Sequence, residues 1–391
     1  MSLPTDQAAR DRIVTSLDET LVVEAGAGTG KTRALVARIV RLVLVGEVPL
    51  REIAAITFTE AAAAELRDRI RASLERVQQT GMIPAAGESE ETLDLLSGAN
   101  LADAFQSLDD ATITTLHGFA QRILAEHPLE AGLPPRFVVR DEVQSSVDFE
   151  DRWSSTLDHL LEDPVLEPVT VRGLTVGLTL SRLRDIARAF HNQWHRTRDW
   201  LASLPPPAPV RFPDVDLKSV LVEIESLVAM ADLNRTPDPL LDRLAEFADF
   251  AEALATATDD DERLSLLMAP PNCSVGRTGR APNWQPGAAT RVREQVAGVA
   301  AVIATVLDAQ RVVVLDSLAR RVGEAIVAAA GDRRTRGELD FHDLLVLARD
   351  LVRDDPAVRA ILHARYRRIL IDEFQDTDPL QIEIATLLAA A

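Results

Sequence analysis

A single cysteine, Cys273, stands in 391 residues, which excludes a disulfide framework and a cysteine-ligated zinc or iron–sulfur site within this chain. A reducing cytoplasm fits that content. The N-terminus lacks the apolar core of a signal segment, and the apolar stretches between Val296 and Leu315 are broken by Asp308, Gln310 and Arg311. Neither secretion nor a membrane partner is expected. Positive charge is also short. The net charge of −19 argues against a protein that coats nucleic acid through bulk electrostatics, while leaving room for a local basic groove. Lysine is the scarcest cation, since only Lys31 and Lys218 occur and Arg supplies the rest. Abundant Ala, Arg and Asp look like coding bias from a GC-rich genome, so part of the acidity is background. A lysine kept at position 31 therefore suggests a role that arginine cannot fill.

What is present is enough chain for two or more compact units, with the hydrophobic and charged content of an ordinary globular protein. Its organising stretch is residues 21–32, where the apolar run Leu21, Val22, Val23 leads into Ala25, Gly26, Ala27, Gly28, Thr29, Gly30, Lys31, Thr32. Glycines without side chains let successive N–H groups face phosphate oxygens, and the following helix adds its positive N-terminal end. Lys31 then reaches the β/γ-phosphates of ATP and the Thr32 hydroxyl holds Mg²⁺, with Arg33 closing the nucleotide-side set. The first position of the strict phosphate-loop pattern is Ala25 rather than glycine. The context nonetheless fits: Leu35, Val36, Ile39, Val40, Leu42 and Val43 keep helical spacing, so strand, loop and helix follow in order.

Ahead of the loop, an amphipathic helix (Ala9, Ile13, Val14, Leu17) begins near Gln7, whose two-faced amide suits adenine. From the local pattern alone Gln7 reads rather as a solvated helix-start residue. After it, Ile53 to Phe58 forms a buried strand and Thr59 caps a helix, then residues 80–110 read as an acidic surface excursion. Residues 111–124 repeat strand then helix, with His117 at the junction. Strand, helix, strand, helix implies a parallel sheet with ligand sites at the C-terminal strand ends, which would put Thr57, Phe58 and Thr59 on the loop's edge. From Pro128 to about Gly331 the rhythm stops and helical spacing dominates. That tract holds all four tryptophans, Trp153, Trp194, Trp200 and Trp284, with a basic-aromatic cluster at 191–200 that reads either as a platform for single-stranded bases or as the core of a helical subdomain. From Glu338 the pattern returns. Ile369 to Ile371 forms a short strand ending in Asp372, the metal-side carboxylate, and Glu373, a general base toward the attacking water.

Together these stretches resemble the superfamily I DNA helicases of the UvrD/Rep and RecB/AddA type. The residues that carry the resemblance are Gln7, the loop from Ala25 to Thr32, Thr57 to Ile70, Thr114 to Gly118, the Leu-Asp-Phe-x-Asp-Leu-Leu run at 339–345, and Asp372-Glu373-Phe374-Gln375-Asp376-Thr377. The resemblance implies an α/β, RecA-like P-loop NTPase domain with a parallel sheet, formed by residues 1–127 and 336–391 around a mainly helical insertion at 128–335. It implies that Gln7 recognises adenine, that Gln375 couples the γ-phosphate to DNA, and that Thr57, Phe58, Thr59, Thr115 and His117 line a single-strand track. ATP and Mg²⁺ are the implied cofactors. Single-stranded and duplex DNA, and a nuclease or recombination subunit, are the implied partners. A second RecA-like domain carrying arginine fingers, supplied in cis or in trans, is implied as well, so the chain is expected to be a fragment or a split gene product. The alternative is a non-motor module that binds ATP and DNA without unwinding.

Overall fold

The computed structural model describes residues 6–26, 28–84, 90–92, 98–374 and 379–389. The chain forms two compact units, Met1–Glu142 with Asp332–Ala391, and Val143–Gly331. In the first, α1 (Gln7–Thr15) precedes the glycine loop and α2 (Lys31–Leu44) follows it. The apolar stripe of α2 buries Val36, Ile39, Val40, Leu42 and Val43. β1 (Ile53–Thr57), buried at all five positions, leads into α3 (Glu60–Thr80). Thr59 caps that helix, its hydroxyl accepting from the Ala62 amide. A hairpin of β2 (Met82–Pro84) and β3 (Glu90–Thr92), then α4 (Gly98–Gln106), precede β4 (Thr112–Thr115), α5 (Leu116–Glu126) and β5 (Val138–Val139). The 80–110 stretch departs from the surface excursion expected of it. Leu101, Ala104 and Leu108 enter the main core; a helix of two and a half turns holds too few apolar positions to register as periodic within an acidic segment.

The regular structure of the second unit is helical, apart from one isolated bridge between Asn234 and Trp284, with irregular tracts at 204–216 and 269–280. Its helices are α6 (Glu142–Glu162), α7 (Glu167–Thr175), α8 (Leu180–Asn192), α9 (Trp194–Ser203), α10 (Leu217–Val228), α11 (Pro239–Thr256), α12 (Asp260–Met268) and the long α13 (Ala288–Arg336). By length and composition α13 could cross a membrane. Its apolar side chains Val292, Val296, Val299, Ile303, Val306 and Leu307 instead form one wall of this unit's core, facing α10, α11 and α12. Trp153, Trp194 and Trp284 are buried and serve packing, whereas Trp200, in the 191–200 cluster, is partly exposed and tilts against Phe190, ring centroids 5.6 Å apart.

The chain then returns to the first unit through β6 (Glu338–Leu339), α14 (Phe341–Asp354), α15 (Pro356–Arg365), β7 (Arg368–Ile371) and α16 (Pro379–Ala389). β6 pairs in parallel with β5, and an Arg140–Glu338 ion pair reinforces the junction. The main sheet has the order β4-β1-β7, all parallel. The fold is thus α/β with a parallel sheet and a helical insertion. One expected strand does not form. Leu21 to Val23 joins no ladder, and Val22 is 92% exposed. A strand exists only through paired backbone groups, and a three-residue apolar run satisfies the sequence pattern without supplying a partner.

Candidate functional site

Parallel pairing sets the three strand ends side by side. Thr57 stands opposite Thr115 on one side. On the other, Ile56 stands opposite Ile371, and the Asp372 N–H donates to the Ile56 carbonyl at 2.8 Å, carrying the ladder one residue beyond β7. Asp372 therefore leaves the sheet beside the end of β1, where the chemistry of such sheets is found.

The glycine loop meets this edge. Gly28 and Gly30 have φ of 76° and 90°, left-handed values that a side chain would strain, and Gly30 caps α2. Within the loop, the Thr29 hydroxyl donates to the Gly26 carbonyl at 2.7 Å. Gly26, Gly28, Thr29, Gly30 and Arg33 are exposed, while Ala25, Lys31 and Thr32 are partly buried. Ala27 lies outside the described residues. Lys31 Nζ donates to Glu373 Oε2 at 3.3 Å, joining residues 342 positions apart. Glu373 itself has φ of 53°, an uncommon value for a residue with a side chain, and its N–H donates to Asp372 Oδ1 at 3.0 Å. The loop lysine and the acidic pair thus form one site. Gln375 lies outside the described residues.

α1 leans on the loop from the other side. Arg10 Nη1 donates to the Thr29 carbonyl at 3.1 Å and Arg10 Nε to Asp6 Oδ2 at 3.0 Å. That hydrogen bond holds the Asp6 carboxyl below its usual range. Gln7 is turned along its own helix, its amide donating to Asp11 at 2.7 Å. Arg38, on α2, grips the turn after α1 by donating to the carbonyls of Ile13, Ser16 and Glu19 at 2.5, 3.0 and 3.1 Å. Burial, then the nearby Arg368 charge, lowers its pKa.

Of the residues expected along a nucleic-acid track, Phe58 is 61% exposed and Thr59 is exposed, whereas Thr57 is buried and donates to the Thr59 carbonyl at 3.1 Å. Thr115 is an N-cap: its hydroxyl accepts from Gly118 at 3.1 Å and donates to Glu60 at 2.7 Å, tying the starts of α5 and α3 together. A Cβ at Gly118 would overlap Thr114 Oγ1, so any other residue there would force that hydroxyl to turn away. A recess of about 330 Å³ lined by Glu60, Arg67, Thr112, Thr114 and Arg122 adjoins these caps. His117 meets the ring of Phe341 edge-on, centroids 5.9 Å apart.

Phe341 was given no role of its own in the sequence, where it appears only within the 339–345 run. It opens α14 in helical register with the buried Leu344, Leu345, Ala348 and Val352, so spacing alone assigns it to the core, and only its 54% exposure sets it apart. The two aspartates of the same run act in the framework. Asp343 and Asp340 form a reciprocal capping box at the start of α14. Asp343 also takes a two-point ion pair from Arg333, at 2.7 and 2.9 Å, with both side chains 2% exposed.

Compared with known proteins, the chain is 27% identical over 400 residues to the RecBCD enzyme subunit RecB of Escherichia coli (strain K12), covering 93% of this chain and 32% of that protein. It is 23% identical over 424 residues to an ATP-dependent helicase/nuclease subunit of Pediococcus pentosaceus, covering 98% and 33%. A shorter match to the corresponding helicase/nuclease subunit of Desulforamulus reducens reaches 35% over 136 residues, 34% of this chain and 10% of that one. The chain spans about a third of the length of the first two relatives. Residues 6–391 match a single family description throughout, and the chain belongs to that family, the UvrD/REP helicase N-terminal domain.

Proposed function

We propose that this chain is the ATP-binding motor half of an ATP-dependent DNA helicase that translocates 3′ to 5′ on single-stranded DNA and unwinds duplex in recombination or repair. The observation that carries the reading is the Lys31–Glu373 contact, which joins a glycine loop at a helix start to a carboxylate pair at a strand end. In this reading residues 1–127 and 336–391 form the ATP-binding domain around an insertion at 128–335. The amides of 26–31 and Lys31 bind the phosphates, with Gln7 and Arg33 on the nucleoside side. Glu373 takes a proton from the attacking water and Gln375 senses the γ-phosphate. The donor set suits Mg²⁺: a hydroxyl (Thr32) and a carboxylate (Asp372) are hard oxygens, on a loop and a strand end that the Lys31–Glu373 pair brings face to face. Bound there, the ion would neutralise phosphate charge. Phe58, Thr59 and His117, with Thr57 and Thr115 shaping the edge, would meet single-stranded DNA. The relatives, one named as a RecBCD component and the others as parts of helicase/nucleases, support a nuclease or recombination partner, and the compartment would be the cytoplasm.

The test is nucleotide binding by the 391-residue chain and by Lys31→Ala, with thermal melting beside it. Loss of ATP binding at unchanged melting supports the site; unchanged affinity sinks it. The chain alone is expected to hydrolyse ATP barely, because the reading places the charge-stabilising arginines on a second domain, a contribution of about 10³ to 10⁵ in rate in related enzymes. Strand displacement, absent from the chain alone and restored when the remainder of the polypeptide is added, fits the motor reading. Robust unwinding by the chain alone overturns it, and no rescue by a folded remainder favours the non-motor module.

A further inference from the structure

The contact between α1 and the loop has a geometric consequence. The peptide between Thr29 and Gly30 is trans, so its carbonyl and the Gly30 N–H point in opposite directions. Arg10 holds that carbonyl toward α1 at 3.1 Å. The Gly30 N–H must then face away from Arg10, and Gly30 can take up this peptide orientation because its φ of 90° carries no side-chain penalty. Arg10 is itself held in place. Asp6, at the N-cap of the same helix, meets its Nε at 3.0 Å and its Nη2 at 2.8 Å through the single oxygen Oδ2, a side-on grip that leaves Nη1 to the loop. α1 is anchored in turn, with Val14 buried against Ala37 of α2 and Arg38 of α2 bonded to three carbonyls at its end. The contacts close a circuit. α2 carries the loop at its N-terminus, its Arg38 fixes α1, and α1 returns Arg10 to the loop one residue before the cap.

We propose that Arg10 is a positioning residue for nucleotide binding, one that pre-sets the Thr29–Gly30 peptide so that the Gly30 amide faces the bound phosphates. This rests on the phosphate-loop reading of residues 25–32. A pre-set amide need not reorient when the ligand arrives, so its contribution appears as affinity for any nucleotide with a β-phosphate. Arg10 acts through the loop backbone, so the γ-phosphate should not matter to it.

The experiment measures the affinity of the 391-residue chain for fluorescent ADP and ATP analogues with Mg²⁺, in Arg10→Ala, Arg10→Lys and Asp6→Asn, with Lys31→Ala as control. Arg10→Ala is expected to weaken both nucleotides by about 10-fold, the scale of one hydrogen bond from a charged donor, with the ATP-to-ADP ratio unchanged. Arg10→Lys should recover part of the loss, since an ammonium still donates to the Thr29 carbonyl. Asp6→Asn should fall between the Ala variant and the parent. The melting temperature without nucleotide should stay put, because Arg10 and Asp6 lie at the surface. A loss confined to ATP would show direct contact with the γ-phosphate and overturn the positioning role. Lowered melting without recovery in Arg10→Lys would overturn it too, in favour of a fold defect. Unchanged affinity in Arg10→Ala beside lost affinity in Lys31→Ala overturns this inference alone. Unchanged affinity in both variants overturns the phosphate-loop reading beneath it.

Discussion

Asp343→Ala removes the acceptor of the most buried ion pair at the start of α14. Arg333 would lose both bonds of its two-point contact while its side chain stays 2% exposed, keeping Asp340 Oδ2 at 3.2 Å, and the Asp340 N–H would lose the carboxylate it donates to at 3.0 Å. Breaking a buried pair by deleting one partner costs about 3–5 kcal/mol, and the Asp340 carboxylate that Arg333 keeps sets the expectation at the lower end of that range. In a folding unit of about 150–250 residues each kcal/mol moves the melting temperature by about 2–4 °C, so a fall on the order of 10 °C is expected. Far-UV circular dichroism gives the midpoint, and amide exchange across 341–354 shows whether α14 opens first. The double change Arg333→Met with Asp343→Leu, which removes both members of the pair, should recover part of the loss; the Asp340 carboxylate, which gives up its Arg333 contact, and the uncapped Asp340 amide keep it from being complete. A fall below about 2 °C for Asp343→Ala would refute the reasoning, since it would mean that Arg333 finds full compensation elsewhere.

Three further outcomes follow from the same geometry. Glu373→Gln keeps the shape of the side chain and removes its basicity, so Mg²⁺-ATP should bind at least as tightly while hydrolysis by the completed enzyme falls by about 10²-fold or more; full turnover would remove Glu373 from its assigned place. Phe58→Ala, at a ring 61% exposed, should weaken single-stranded DNA by about 10-fold on the scale of base stacking and leave melting unchanged, and an unaltered affinity would take Phe58 off the DNA track. Burial pushes the Cys273 thiol above its ordinary value, which leaves less thiolate at any given pH and makes that form appear only as pH rises further. Iodoacetamide should therefore label it more slowly at pH 8 than an unfolded cysteine peptide, and labelling at the peptide's rate would contradict the raised thiol.

Much of the first unit was legible because its signals are local. Thr59 and Thr115 are capping residues at the ends of β-branched runs, and both accept from the amide three residues on. β1, β4 and β7 formed where apolar runs ended in such caps or in carboxylates. What escaped depends on partners far along the chain. No local pattern tells that Leu21 to Val23 lacks a ladder, since pairing belongs to two segments at once. The roles of Asp343 and Arg10 were equally hidden. One depends on Arg333 arriving from the end of a 49-residue helix, the other on a loop carbonyl 19 positions away. The 191–200 cluster carried two readings for a related reason, because aromatic and basic residues compose a helical core and a base-stacking surface alike.

The Lys31–Glu373 contact links binding to catalysis in the proposed reading. Lys31 and Glu373 are 26% and 38% exposed, so water screens their attraction and the pair is worth about 0–1 kcal/mol. A nucleotide brings more negative charge to the same ammonium and meets loop amides as well, so its phosphates displace Glu373 at little cost. In that reading the exchange would take Lys31 away from Glu373, so that occupancy of the loop and release of the carboxylate toward the attacking water would be one step. The backbone holds Glu373 at a φ of 53°, an uncommon value for a residue with a side chain, at the position where that step would take place.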